Sequence, residues 1–299
     1  NLASFGAAAA RKRLGNRIVT TRIEHPSVYE PALQLQKQGF EVMFLEPDEM
    51  GNIPAQAVFD AVTPDTILVS MMLVNNETGA RLPVETAAKA IKRAGAPALL
   101  HCDAVQAFGK LPCKPASLGA DLVTISAHKI HGPKGVGALY IRPGLPLPPF
   151  IHGGGQESNF RSGTENLPGI CGFAAACAAT DAQQEIARMT DLRDYCRARA
   201  QEIPGLVLIG QQAAPHIVNL SLPGLRSQGI INCLQTKQIY VSAGSACSKG
   251  HRSHVLEAMR LPPAVIDGSV RISFCGDNTR EDVDRLIDAL LEAKTTLKG

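Results

Sequence analysis

The stretch "VTISAHKIHGPKGVGALYIR", residues 123–142, places a single lysine, Lys129, directly after a run of apolar and β-branched residues. This pattern predicts a short buried strand over residues 121–125 and, after a glycine-rich turn, another strand over residues 135–141. A cation at the end of a buried strand is costly to keep, because burial removes its hydration. The position of Lys129 therefore calls for a chemical explanation.

Strands and helices alternate on the N-terminal side of this stretch. Apolar runs predict further strands over residues 17–23, 40–45, 66–74 and 98–102. Helical patterns separate them, over residues 27–37, 55–61 and 84–93. This alternation is typical of a mostly parallel sheet covered by helices, so the sequence predicts an α/β fold with a large parallel sheet.

The pattern changes after residue 167. A long helical pattern over residues 168–201 is followed by predicted strands and helices over residues 206–209, 217–222, 228–236, 270–274 and 280–294. We therefore expect three parts: a large α/β domain over residues 1–167, a connecting helix over 168–203, and a smaller α+β C-terminal domain over 204–299. Because the chain begins at Asn1 and not at methionine, we also expect a segment upstream of it.

Composition excludes several classes of protein. Of the 299 residues 45% are hydrophobic and 19% are charged, which is typical of a globular protein. The net charge of +3 without a long basic block argues against nucleic-acid binding, and no apolar run reaches the ~18 residues of a membrane span. The eight cysteines show no CxxC pair, so we expect reduced thiols in a cytoplasmic protein rather than a disulfide framework.

Polar residues follow the predicted strands at their carboxyl ends, where open α/β sheets bind ligands. They are His25, Asn76, Asp103, Gln106, Ser126, His128 and Lys129. A lysine amine can bind pyridoxal phosphate (PLP) as a Schiff base, and an aspartate can keep the pyridine nitrogen of PLP protonated. A hydroxyl and an imidazole can contribute to a phosphate site. We therefore predict a PLP site at this edge of the sheet.

The same residues also have ordinary structural uses. Lys129 could be a surface lysine in a glycine-rich turn. Asp103 could cap a helix, with Gln106 completing a capping box. His25, which precedes a proline, could be a turn residue, and Arg271 could be a solvated arginine. Taken one by one, these positions do not decide between the structural and the catalytic interpretation.

Four longer motifs occur in order along the chain: "HCDAVQAFGK" (101–110), "ISAHKIHGPKGVGALYIR" (125–142), "GGGQESNFRSGTEN" (153–166) and "VSAGSACSKG" (241–250), followed by "VRISF" (270–274). Together they resemble the cysteine desulfurases of the class V aminotransferase family, which are fold-type I PLP enzymes closely related to selenocysteine lyase. The resemblance covers essentially the whole chain. The family's upstream Gly-Thr phosphate turn has no counterpart here, since "NLASFG" resembles the residues just after that turn.

The resemblance implies a role for each matched residue near the cofactor ring. Lys129 would bind PLP covalently, and Asp103 would pair with the pyridine nitrogen. Gln106 would bond the ring hydroxyl. His25 would stack on the ring and shuttle protons.

The resemblance assigns further residues to the phosphate and the substrate. Ser126 and His128 would hold the phosphate, while Asn76 would lie beside cofactor and substrate. Thr164 would reach the phosphate of a partner subunit, which implies a homodimer with shared sites. Arg271 would bind the substrate carboxylate, for which its planar fork is suited.

Cys247 is the expected nucleophile. It lies among small polar residues, and Lys249 and His251 are cations close in sequence that favour the reactive thiolate. The expected reaction converts L-cysteine to L-alanine and leaves a persulfide on Cys247, whose sulfur passes to an acceptor such as an iron–sulfur scaffold protein. An inert thiol remains an alternative. The spacing of Cys247, His251 and His254 is too weak a signal to predict a metal site.

Three other functions remain open at this point. The same motifs suit a selenocysteine lyase or another class V PLP aminotransferase. A non-catalytic scaffold that has kept the fold and lost the cofactor is the third possibility.

Overall fold

The computed structural model describes residues 1–211, 213–243 and 252–297, and the chain divides into two compact units. Unit 1 consists of Asn1–Pro47, Ile53–Val74 and Leu82–Asp181. Unit 2 consists of Asp48–Asn52, Asn75–Arg81 and Ala182–Gly299. This division differs from the three predicted parts, because the predicted connecting segment 168–203 is shared between the units and two short segments from the first half of the chain belong to unit 2.

Unit 1 contains a six-stranded sheet in the order β2-β1-β3-β4-β5-β6. The strands are β1 (Arg17–Thr21), β2 (Glu41–Leu45), β3 (Thr66–Met72), β4 (Leu99–Asp103), β5 (Leu122–Ser126) and β6 (Gly137–Ile141). All neighbours pair in parallel except β5 and β6, which are antiparallel. The predicted α/β fold with a mostly parallel sheet is therefore confirmed.

The centre of the sheet is buried on both faces. Every residue of β3 and of β4 is buried, and neither strand shows the strict polar–apolar alternation of a half-exposed strand. Their buried polar residues are Thr66 and Ser70 in β3 and His101 and Asp103 in β4. The covering helices are α1 (Leu2–Arg11), α2 (Pro26–Lys37), α3 (Ala55–Ala61), α4 (Val84–Ala94), α5 (Pro115–Leu118) and α6 (Leu167–Ala179).

Unit 2 contains a three-stranded antiparallel sheet formed by β7 (Val207–Ile209), β8 (Ile217–Ser221) and β9 (Ser269–Ser273). Its helices are α7 (Ala182–Ala200), α8 (Ser227–Thr236), α9 (His254–Ala258), α10 (Pro263–Asp267) and α11 (Arg280–Thr296). Helix α11 begins with a capping box between Thr279 and Asp282. None of the described helices combines the length and the apolar character that crossing a membrane requires.

The single helix predicted over residues 168–201 is two helices, α6 and α7, and they end up in different units. Thr180 adopts extended backbone angles after α6, and its hydroxyl donates to the Ala176 carbonyl at 2.8 Å. A Thr hydroxyl that bonds back to a helix carbonyl competes with regular helix geometry. The sequence pattern alone did not reveal this break.

Candidate active site

Lys129 lies on a single 3₁₀ turn, Ala127–Ile130, that directly follows β5. Ala127 and Ile130 are buried and pack with Phe173 of α6, whereas His128 is exposed and Lys129 is half-buried. The two apolar residues thus anchor the turn in the core. The two basic residues between them remain at its surface, at the carboxyl end of the sheet.

The glycines after Lys129 allow a close backbone approach. A Cβ on Gly132 would lie 3.0 Å from the Ala127 carbonyl oxygen, and a Cβ on Gly137 would lie 2.6 Å from the Ile125 carbonyl oxygen. The turn ends at His131, whose φ of 64° is left-handed. The glycines therefore have a steric reason: without side chains, they let the segment that follows Lys129 pack closely against the backbone of β5 and of the turn.

Asp103, the last residue of β4, is paired with Met72 of β3 and with Thr124 of β5. Its Oδ1 accepts a hydrogen bond from the Val105 N–H at 2.9 Å. Burial raises the pKa of Asp103 to about 6, while the positive charge of Lys129 acts in the opposite direction. Asp103 and Lys129 are thus within electrostatic reach of each other. Turns follow Asp103 instead of a helix, so it is not the helix cap that its sequence also allowed.

His25 follows β1 and caps helix α2. The Ser27 N–H donates to Nδ1 of His25 at 3.1 Å, and the Ser27 hydroxyl lies 2.8 Å from the same nitrogen. This contact holds the half-buried ring through one edge. Because Nδ1 accepts, a neutral ring carries its proton on Nε2. The capping role and a role at the cofactor are therefore compatible.

Glu24, immediately before His25, is a fully buried carboxyl. Its Oε1 accepts hydrogen bonds from the Met72 N–H at 2.9 Å and from the Thr21 hydroxyl at 2.8 Å. Since Met72 is the β3 partner of Asp103, Glu24 connects the ends of β1 and β3 beside that aspartate. Burial, together with the nearby charge of Asp103, raises the pKa of Glu24 to about 8.

The hydroxyl of Ser126 lies 2.7 Å from Nδ1 of His128. The pKa of His128 is lowered, first by partial burial and then by the positive charges of Lys129, Lys134 and Lys110. The environment of this pair is therefore electropositive, which suits an anionic group such as a phosphate.

The chemistry of this cluster fits PLP, which carries an aldehyde, a pyridine nitrogen, a ring hydroxyl and a phosphate. Lys129 offers an amine and Gln106, half-buried just beyond β4, offers an amide. Ser126 and His128 form the hydroxyl–imidazole pair. Asp103 is a carboxyl in a buried setting that disfavours its charge, and a pyridinium N–H would compensate that charge. These donors and acceptors match the groups of PLP one by one.

Asn76 and Arg271 lie in unit 2. Nη1 of Arg271 donates to the Asn76 carbonyl at 2.8 Å, and Nη2 lies 3.4 Å from the Ser242 hydroxyl. Burial lowers the pKa of Arg271, and the nearby carboxyl of Glu77 raises it. Oδ1 of the buried Asn76 and Nε of Arg271 have no hydrogen-bond partner among the described residues, so both side chains retain polar atoms for a ligand.

The predicted site residue Thr164 is not part of either cluster. Thr164 is exposed and lines a cleft of about 650 Å³ with residues of β6, Phe160 and Phe173. His25, Asp103 and Lys129 do not line this cleft. Cys247 lies outside the described residues.

Sequence analysis missed three charged residues that belong to these clusters: Glu24, Glu77 and Lys110. All three are buried in the structure. Glu77 accepts a 2.5 Å hydrogen bond from the Ser253 hydroxyl, and burial raises its pKa. One feature of the sequence could have indicated these residues: each charged residue lies shortly after the end of a predicted buried strand. Glu24 and Lys110 also lie within three and seven residues of the strands β1 and β4.

Replacing Glu24 by glutamine is expected to stabilise the protein at alkaline pH. The pKa of Glu24 is about 8 in the folded protein and 4.5 as its ordinary value, so the folded state binds the proton more tightly than the unfolded state. The stability that this protonated carboxyl contributes is fully present below about pH 4.5 and is lost as the pH rises through about 8. Glutamine keeps an acceptor for Met72 and Thr21 and does not titrate. The difference in unfolding free energy should therefore grow with pH, to on the order of 4 kcal/mol.

Thermal unfolding of the wild-type and Glu24→Gln proteins between about pH 4 and pH 9 measures this difference. Glu30→Gln, on the exposed side of α2, is the matched control and should show no such trend. A melting-temperature difference for Glu24→Gln that is independent of pH would contradict the prediction.

Comparison with known proteins identifies the family of the chain. Residues 1–286 match the family described as aminotransferase class-V. A cysteine desulfurase IscS of Dictyoglomus turgidum is 40% identical over 297 residues, which cover 97% of this chain and 75% of that protein. A solved NifS-like protein superposes with a TM-score of 0.89 at 36% identity, covering 99% of this chain and 79% of that one.

A second solved structure, titled "SspA in complex with cysteine", is 30% identical with a TM-score of 0.79 and covers 93% of this chain and 79% of its own. The resemblance seen in the sequence motifs is thus confirmed over nearly the full chain. The chain belongs to the aminotransferase class-V family, and its function within that family is that of a PLP-dependent cysteine desulfurase.

Proposed function

We propose that the chain binds PLP covalently through Lys129 and uses it to transfer sulfur from L-cysteine, by way of Cys247, to an acceptor protein. The observation that supports this most is the pairing of a strand-end amine, Lys129, with a buried carboxyl, Asp103, within electrostatic reach. When bound, PLP supplies a ring that accepts electrons from the substrate.

The residues of unit 1 bind and orient the cofactor in this proposal. Asp103 holds a proton on the pyridine nitrogen, and Gln106 bonds the ring hydroxyl. The ring of His25, fixed through Nδ1, lies against the cofactor and moves protons through Nε2. Ser126 and His128 bind the phosphate in their electropositive environment.

Arg271 and Asn76 recognise the amino-acid substrate. The guanidinium is held at its Nη1 by the Asn76 carbonyl, and its remaining N–H groups suit the two oxygens of an α-carboxylate. The partnerless Oδ1 of Asn76 is an acceptor for a substrate or cofactor donor.

Cys247 accepts the sulfur. Its thiolate attacks the substrate sulfur, a new S–S bond forms, and the carbon–sulfur bond breaks. The substrate carbon gains a proton and leaves as alanine, so cysteine and the enzyme thiol become alanine and an enzyme persulfide. The persulfide then passes its outer sulfur to an acceptor of the iron–sulfur scaffold or thiolation type. We place this chemistry in the cytoplasm, where unpaired thiols stay reduced.

An absorption spectrum and a product assay together test this function. The protein should show the visible band of covalently bound PLP and should release alanine from L-cysteine. Selenocysteine is the comparison substrate, since preferential turnover of selenocysteine would favour the lyase alternative. A protein that carries no PLP after incubation with it would disprove the proposal.

The proposal includes a homodimer with shared sites. Thr164 lies next to edge strand β6, and exposed apolar side chains surround this region: Tyr140, Phe150, Ile151, Leu167 and Ile170. Such a group of apolar side chains suits a protein interface, here a second copy of the chain.

Replacing Thr164 by alanine is expected to weaken PLP binding without unfolding the protein, because the Thr164 hydroxyl would bind the phosphate of the PLP held by the partner subunit. Mixing Thr164→Ala with Lys129→Ala subunits should restore part of the activity, since one of the two sites in the mixed dimer contains both intact residues. Light scattering and turnover of the mixture measure this. A fully active monomer would rule out the shared site.

A further inference from the structure

Lys110 is a buried lysine in unit 1 that the proposed function does not use. It ends the turns that follow β4, and only 9% of its surface is exposed. An ammonium is seldom buried unless hydrogen bonds or charges compensate the lost hydration. Its burial therefore indicates that the fold holds this charge at a defined place.

The Nζ of Lys110 donates a hydrogen bond of 2.7 Å to the carbonyl of Lys129. The last carbonyls of a helical turn lack partners within the turn, and in a turn of four residues this affects most of them. Lys110 satisfies the carbonyl of the residue that carries the reactive amine. The backbone of Lys129 is thus held by a charge-assisted bond.

Lys110 also contributes charge to the surroundings of the Lys129 amine. Its charge lowers the pKa of the neighbouring His128 together with the charges of Lys129 and Lys134, and the carboxyl of Asp103 at the end of β4 interacts with Lys129. Lys134 is exposed and its charge is screened by water, while Lys110 is buried and is screened less. A cation close to a lysine disfavours the protonated form of that lysine.

We propose that Lys110 is a positioning residue for Lys129: it fixes the backbone of the turn that presents the amine, and as a nearby buried cation it favours the uncharged, nucleophilic form of that amine. This rests on the proposed role of Lys129 as the PLP-binding lysine. Lys110 is not one of the residues proposed to contact the cofactor. Its positioning role explains why the fold retains a buried charge next to the turn.

The test measures the protonation of Lys129 directly in protein freed of PLP. Trace acetylation with acetic anhydride over a range of pH, followed by peptide mass spectrometry, gives the titration midpoint of the Lys129 amine. Lys110→Met and Lys110→Gln remove the charge, and Lys110→Arg keeps it. Lys114→Met, an exposed lysine four residues away, is the matched control.

We expect the midpoint of Lys129 to rise by about one unit in the two neutral variants, with about a tenfold loss of PLP affinity. Lys110→Arg and Lys114→Met should stay within about 0.3 units of wild type. A purely structural role would weaken PLP binding while leaving the midpoint in place. An unchanged midpoint in a folded neutral variant overturns the inference.

If the proposed function is wrong, the experiment gives a result that differs from failure of the Lys110 inference alone. In that case wild-type protein incubated with PLP and borohydride carries no label on Lys129, whatever the titration shows. The labelling experiment and the titration therefore separate the two claims.

Discussion

A Lys129→Ala protein is expected to lack the visible band of covalently bound PLP and to release no detectable alanine from L-cysteine. Among the residues of the turn Ala127–Ile130, only Lys129 carries a primary amine, which is the group that can bond the aldehyde of PLP. The loss should exceed about a thousandfold, since the covalent attachment of PLP is removed.

Borohydride reduction of the wild-type protein followed by peptide mapping locates the PLP attachment site. Lys134→Ala is the matched control: this lysine is exposed in the same glycine-rich segment and should leave the band in place. A label on a different lysine would show that the assignment of Lys129 is wrong.

A Cys247→Ser protein is expected to keep the PLP band and to lose alanine and sulfide release from L-cysteine. The band depends on Lys129 and Asp103, whereas the sulfur needs a thiolate acceptor that serine cannot replace. Because a free cysteine has a pKa of about 8.5, wild-type activity should rise from neutral to alkaline pH. Mass spectrometry after reaction with substrate should find one extra sulfur on the peptide that contains Cys247.

Cys171→Ser provides the control for this experiment, since Cys171 is an exposed cysteine on helix α6 that has no role in the proposal. It should turn over L-cysteine at the wild-type rate. Full cysteine turnover by Cys247→Ser would instead remove Cys247 as nucleophile and favour a lyase or aminotransferase reaction.

Periodicity and local motifs were enough to predict the sheet and the edge at which His25, Asp103 and Lys129 lie. Strand ends in a parallel sheet are local features, since each is marked by the change from an apolar run to polar residues. The strands after which His25, Asp103 and Lys129 lie were predicted to within three residues of their observed bounds. Turn chemistry was harder, as the break at Thr180 shows.

Burial of individual charges was decided only by the tertiary structure. In the sequence, Glu24 and Lys110 look like ordinary solvated residues, because nothing in their immediate neighbours encloses them. Glu24 is enclosed when its carboxyl meets the Met72 amide of β3, 48 residues away, and Lys110 when its ammonium meets the Lys129 carbonyl, 19 residues away. Desolvation depends on every atom around a group, so the raised pKa of Glu24 and the charged support beneath Lys129 arise only once distant segments fold together.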